Sequence, residues 1–220
     1  MPSAPPPIST SASERNASEL RAEAALTLAT TPYVMLTGIQ GIGFVLAAGI
    51  AGELGDPKHI ASVDSLCSYA GIVPHTDQTG GPDSPAVQRR ASPRCNHILK
   101  DWTVQSAQKI HLYGQPELKD RITRWNANGR HGIFAGARHY LRLVRSLVKN
   151  EIPYLDPAGR NRTATPEQLA TAAHATWQTV LRKWRPVSGG LNLITDEAHP
   201  LGFWRRVIME THGIDLPARP

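Results

Sequence analysis

At 220 residues the chain is long enough for one generous domain, and 40% hydrophobic residues allow it a core. Cys67 and Cys95 stand far apart with no Cys-x-x-Cys pair, which argues against a disulfide framework and fits a reduced cytoplasm; the nine histidines show no HExxH-type spacing and give no metal site. The net charge of +6 is uneven: residues 1–85 carry 3 Lys/Arg against 8 Asp/Glu (net −5), residues 86–150 carry 13 against 3 (net +10), and residues 151–220 carry 8 against 7 (net +1). The positive charge sits in one central block, the pattern of a polyanion-facing surface or of a solvated basic face.

The N-terminus, "MPSAPPPISTSASERNASEL", is rich in Pro, Ser and Ala and lacks the basic start and apolar core of a signal peptide. It is expected to be a disordered lead to about residue 17. Residues 33–52, "YVMLTGIQGIGFVLAAGIAG", then run without a charge for about the length of a transmembrane helix. Against a span stand Thr37, Gln40, the cluster Gly38-x-x-Gly41-x-Gly43 and the absence of a close basic flank; Glu53 and Asp56 follow instead. The preferred reading divides the run: a short helix over about 31–38, a tight turn at Gly41-Ile42-Gly43, and a second helix from about 43 to 54. Paired glycines permit positive φ and close backbone approach. The second helix would start with free N–H groups, where phosphate is favoured by the donors and the helix dipole together. This G-h-G turn looks like a helix-hairpin-helix, with Gly49 and Gly52 serving close helix packing.

Ser62 is a candidate N-cap for a helix with Val63, Leu66, Cys67 and Ala70 at helical spacing; Gly71 ends it and Pro74 prevents restart. "HTDQTGGPDSPAVQRRASPRCN" reads as a long functional loop. A helix is predicted over about 95–112 with Ile98, Leu99, Trp102, Ala107 and Ile110 in the core, and another over about 116–128. The clearest helix covers about 134–150: Leu141, Val144, Leu147 and Val148 form its apolar face, and Arg138, Arg142, Arg145 and Lys149 recur at spacings of 4, 3 and 4 as a phosphate-tracking stripe or a solvated face. "YLDPAGRNRTATPEQ" is a linker, Thr165-Pro166-Glu167-Gln168 has capping-box spacing and opens a helix to about Trp184, a turn follows at 188–190, and a short aromatic helix near 201–211 closes the chain. No segment reads as a strand.

No paired carboxylates suggest acid/base work, and no Gly-rich loop with a following Lys-Ser/Thr suggests an ATP site. A His/Ser pair can be drawn from His75 and Ser84, but proximity within one loop is a weak signal for a hydrolase. Thr79, beside Gly80-Gly81, reads on residue type alone as a turn residue, since threonine is a poor nucleophile unless activated.

The order of motifs is more specific than any one of them. "LTGIQGIGFVLAAGIAGELGDPKHIASVDSLCSYAGIVPHTDQTGG" followed by "QRRASPRCNHILKDWTVQSA" resembles the C-terminal domain of insertion-sequence-110-type (IS116/IS110/IS902) transposases. That family shows a "PGIG…A…AEIGD" segment, then "F.S…L.AYAGL.P….SGG", then a basic "R.SK.GN..LR..L…A" stretch. The counterparts here are Gly38 to Gly43, Glu53 to Asp56, Ser62 to Pro74, Thr79 to Gly81 and Arg90 to Leu99, and "GARHYLRLVRSLVKNEIPY" is similar to the family's tail. The likeness covers about residues 31–155. It implies a mobile-element recombinase, in which an N-terminal RuvC-like domain carries acidic metal ligands, the C-terminal domain supplies a serine that attacks the DNA backbone and a structured guide RNA directs target choice.

Two departures qualify that implication. Nothing in residues 1–30 reads as a RuvC-like fold, so no cofactor is expected in this chain, which looks like a truncated copy. The family's serine position is Thr79. The expectation is therefore an all-α, multi-helix protein containing a helix-hairpin-helix: a lead over 1–17, the transposase domain over 18–155 and a helical extension over 156–220. It would bind DNA, and structured guide RNA, in the cytoplasm at the nucleoid, through Gly41, Gly43, Arg89, Arg90, Arg94, Lys100, Arg138, Arg142, Arg145 and Lys149, with Thr79 as the candidate nucleophile. A second copy or an intact transposase is the expected protein partner. The rivals are a non-catalytic regulator of an intact transposase, an active recombinase that recruits a separate RuvC-like chain, and a membrane protein spanning 33–52.

Overall fold

Glycines set the first corner of the fold. The computed structural model describes residues 23–73, 75–77, 87–89, 94–128, 132–154, 165–184 and 200–217. The lead over 1–17, Thr79, Gly80-Gly81, Ser84, Arg90 and the turn at 188–190 lie outside the described residues. The first described element is a helix over 23–29 (α1). The apolar run then divides as its glycines predict, into a 3-10 helix Pro32–Gly38 and an α-helix Phe44–Leu54 (α2). It forms no single span, because Gly41 sits at φ +89° and turns the chain between them. Among the described residues no helix is long and apolar enough to cross a membrane.

Ser62 caps α3 (Val63–Tyr69) by accepting from the Ser65 N–H, and Gly71 leaves the helix at φ +64°. Two three-residue strands follow, β1 (His75–Asp77) and β2 (Val87–Arg89), antiparallel with His75 opposite Arg89. The expected plain loop is thus gathered at its base by a short ribbon. Segments of three residues carry too little alternation to announce themselves. Four long helices complete the chain's order up to the last: α4 (His97–Tyr113), α5 (Pro116–Ala127), α6 (Gly132–Asn150) and α7 (Pro166–Trp184), before α8 (Pro200–His212). The capping box of α7 forms: Thr165 N–H donates to Gln168 Oε1 at 3.1 Å and Gln168 N–H to Thr165 Oγ1 at 3.3 Å. Apart from the ribbon the described architecture is all-α, as the helical periodicities predict.

One buried cluster draws on the 3-10 helix and every α-helix, with Trp177 and Trp184 of α7 and Leu201, Trp204 and Ile208 of α8 in the same core as Leu141, Val144 and Val148 of α6. α4 departs from expectation. Ile98 is 59% exposed, whereas Leu99, Thr103, Ser106, Ala107 and Ile110 face inward. The inward face thus includes two hydroxyls that the apolar pattern cannot report. They are tolerated because Thr103 Oγ1 donates to Leu99 O and Ser106 Oγ to Trp102 O, at 2.6 and 2.8 Å.

The glycines of α2 divide by what they touch. A Cβ on Gly49 would lie 2.5 Å from the Trp102 indole, so α2 and α4 meet there as expected. Gly52, expected to do the same, has nothing within 4 Å.

Candidate nucleic-acid interface

The turn between the 3-10 helix and α2 is built from both sides. Beneath it lies α4: a Cβ on Gly41 would stand 2.6 Å from the Lys109 carbonyl oxygen, so this glycine has a packing reason as well as a conformational one. At its outer end Gly43 is exposed, is the N-cap of α2 in extended backbone (φ −97°), provides no side-chain cap, and has open space around its Cα. The start of α2 is therefore an uncapped helix N-terminus with room in front of it.

Lys183 holds the turn from the third side. Its ammonium reaches from the last turn of α7 and donates to Thr37 O (2.5 Å), Ile39 O (2.9 Å) and Ile42 O (2.8 Å). Burial pushes its pKa down to about 8. Next to it, Phe44 packs edge-on against Trp184, ring centroids 4.7 Å apart. Sequence reasoning missed Lys183; its signal was a charge close to Val180, Leu181 and Trp184, all buried, at the end of α7.

The four cations of α6 do not act as one stripe. Arg138 donates to Ile72 O at 3.2 Å and Arg145 to Ala61 O at 3.0 Å, so these two are half-buried ties to the segments flanking α3. Arg142 and Lys149 are exposed. Next to the ties, Cys67 is buried; burial raises its thiol pKa, and the charges of Arg138 and Arg142 oppose that rise. Arg94 is exposed and Lys100 half-buried near the start of α4, and Arg89 falls on β2. Thr79 and Arg90 fall outside the described residues, so the geometry around the loop's hydroxyl is not part of the structure. Among the described residues no three His, Cys, Asp or Glu side chains gather as a metal site.

A second cluster closes the base of the loop. Asn96, the N-cap of α4, accepts from Leu99 N–H through Oδ1 at 2.9 Å. Its Nδ2 donates to Glu53 Oε2 at 2.7 Å and to the Tyr69 hydroxyl at 2.9 Å, and its own N–H donates to Tyr69 O at 2.7 Å. The last turn of α3 and the first of α4 are thereby joined, with the end of α2 as the third post. Glu53, Tyr69 and Asn96 were visible as parts of motifs without a role. The signal for Asn96 was its place directly before a helical run, where an N-cap belongs.

No curated protein and no solved structure matches the chain. Residues 34–123 match the family model described as Transposase IS116/IS110/IS902 family. The match opens on the 3-10 helix, takes in the Gly41–Gly43 turn and the Glu53–Tyr69–Asn96 cluster, and ends in α5. The match covers less than half of the chain and supports an IS110-type transposase C-terminal region over that segment.

Proposed function

We propose that this region holds the phosphate backbone of nucleic acid in DNA transposition, at the start of α2 and along exposed cations of the basic block. The transposase match over 34–123 carries the reading. Three features support it. The N-terminus of α2 is uncapped and open at Gly43. A lysine ammonium sits directly beneath, on the carbonyl of the preceding Ile42. Arg94, Arg142 and Lys149 are exposed in the chain's basic block. An anion at the helix start would meet free N–H donors, the positive end of the helix dipole and a nearby positive charge.

The contacts would be to backbone and not to base edges, so the binding would position nucleic acid without reading its sequence. DNA is the primary partner and structured guide RNA the second; the site of action is the nucleoid in the cytoplasm. By the resemblance, Thr79 stands where the family has its nucleophile, and chemistry would need the acidic metal site of a RuvC-like domain. Binding of the purified chain to duplex DNA and to structured RNA across a salt series tests the reading. The slope of log K against log salt should steepen by about 0.9 per neutralised phosphate on duplex DNA. Weak binding at every salt would leave the basic block as a solvated face and remove the proposal.

A further inference from the structure

A cleft of about 770 Å³ runs along α7. That volume falls within the ~300–1,000 Å³ common for ligand sites. One wall is a stripe of α7, with Thr171, Ala172, Ala175 and Thr179 at helical spacing. The other is Gln40, in the turn before α2, and Gln115, the N-cap of α5. The walls are held by bonds of their own. Gln115 Oε1 accepts from the Gln40 N–H at 3.2 Å, and Gln115 Nε2 donates to Gly38 O at 3.5 Å. Buried Thr176 donates its hydroxyl to Tyr154 O.

The lining is polar but carries little charge. Among the described residues no lysine or arginine lines the cleft, and the exposed Glu167 is its one carboxylate, so a phosphate is disfavoured inside. Thr171 Oγ1 donates to Glu167 O at 2.8 Å and Thr179 Oγ1 to Ala175 O at 3.2 Å. Each hydroxyl hydrogen is thus used within the helix, and the oxygen lone pairs remain as acceptors. Donors come from amides. The capping box of α7 uses Gln168 Oε1 and leaves its NH2 group, and the exposed Gln40 side chain offers a donor and an acceptor together. Ala172 and Ala175 are small enough for a flat ring to lie against the helix.

We propose that this cleft receives an unpaired nucleobase, adenine best, from a single strand whose phosphate rests at the start of α2. Neutral donors and acceptors around a small apolar floor match the edge and face of a base, and a glutamine amide pairs bidentately with adenine N6 and N7. Gln40 lies three residues before Gly43, so at about 3.8 Å per residue their Cα atoms are at most about 11 Å apart. The inference rests on the backbone-holding reading and adds to it a contact that discriminates between bases. It also gives α7, which lies beyond residues 34–123, a part in binding.

The test is binding of a labelled strand of abasic residues that carries one adenine, one thymine or no base, read by fluorescence anisotropy at one salt concentration. All three strands present the same phosphates. The adenine strand should bind about tenfold tighter than the strand without a base, and tighter than the thymine strand. Ala175→Leu fills the cleft from an exposed helix position. It should abolish the adenine advantage and leave duplex binding and its salt slope unchanged. Equal binding of the three strands by the wild type, with duplex binding intact, would overturn the proposal and leave the backbone reading standing. Absence of duplex binding at every salt would remove the backbone reading, and adenosine alone then decides the cleft. Adenosine should shift the side-chain amide signals of Gln40 and Gln168 in nitrogen-15 spectra of the wild type and not of Ala175→Leu. Signals unmoved by millimolar adenosine would overturn the cleft as a base site.

Discussion

Asn96 donates to Glu53 across 43 residues at 2.7 Å, while the same side chain caps α4 through Leu99 N–H. One amide therefore serves as helix cap and as the pin between α2, α3 and α4. Asn96→Ala should cost about 1–3 kcal/mol of stability, the sum of a lost cap and a strained polar cluster. Asn96→Asp separates the two roles. It keeps a capping oxygen but sets a second carboxylate against Glu53, so it should also destabilise, and Glu53→Gln should rescue it. Urea unfolding of the four proteins measures this. An Asn96→Asp variant as stable as wild type would mean that only the cap matters.

The glycines of the apolar run predict opposite signs. Gly41→Ala places a Cβ at positive φ and 2.6 Å from Lys109 O, and Gly49→Ala drives one into the Trp102 indole. Each should lose at least about 1 kcal/mol. Gly52 is helical, exposed and open, so Gly52→Ala should gain roughly 0.5–1 kcal/mol. Gly43→Ala should stay within about 1 kcal/mol of wild type, since its backbone is extended and its surroundings are empty. Equal losses at all four positions would contradict the packing described.

Lys183 gives a pH dependence of definite sign. Burial lowers its pKa from 10.5 to about 8 in the folded state. Between pH 8 and 10.5 the unfolded chain keeps a proton that the folded chain has released, so this group's contribution to stability rises with pH across that window and is flat below it. Below pH 8 the three carbonyls offset only part of the desolvation cost. Lys183→Met cannot titrate. The stability of wild type minus that of Lys183→Met should therefore climb between pH 8 and 10.5. A difference that falls over that range would show the ammonium to be favoured by burial, contrary to its depressed pKa.

The cations of α6 separate a fold role from a surface role. Arg138→Ala and Arg145→Ala remove ties to Ile72 O and Ala61 O and should lower Tm. Arg142→Ala and Lys149→Ala remove exposed charges and should leave Tm within a degree or two. If the exposed pair meets phosphate, the double variant should reduce the salt slope of duplex binding by about 1.8. An unchanged slope would take α6 out of the interface.

Helix positions were legible because each carries its own start or stop: Ser62 and Thr165 as caps, Gly71 at positive φ, and the Leu141–Val148 face of α6. The division of the apolar run was legible from Gly41 and Gly43. The first arm proved 3-10 and not α, a distinction of hydrogen-bond spacing that composition does not encode. The split of the basic stripe was not legible either, since helical spacing shows that Arg138 and Arg142 share a face but not that a carbonyl of a distant loop meets one of them. The long-range bonds of Lys183 and Asn96 are illegible for the same reason. These partners lie 141 to 146 and 27 to 43 residues away, and long-range acceptors leave no pattern along the chain.

Trp204 in α8 donates its indole N–H to Ala29 O, at the end of α1, across 175 residues and at 2.7 Å. The carbonyl that α1 leaves open is thus satisfied by an element synthesised 175 residues later. At about 5–20 residues per second, α1 would wait roughly 9–35 s on the ribosome before its partner exists. During that interval Leu28 and Tyr33, later fully enclosed, would stay available to other apolar surfaces. The late closure makes the nascent chain, more than the finished protein, the form most exposed to chaperones.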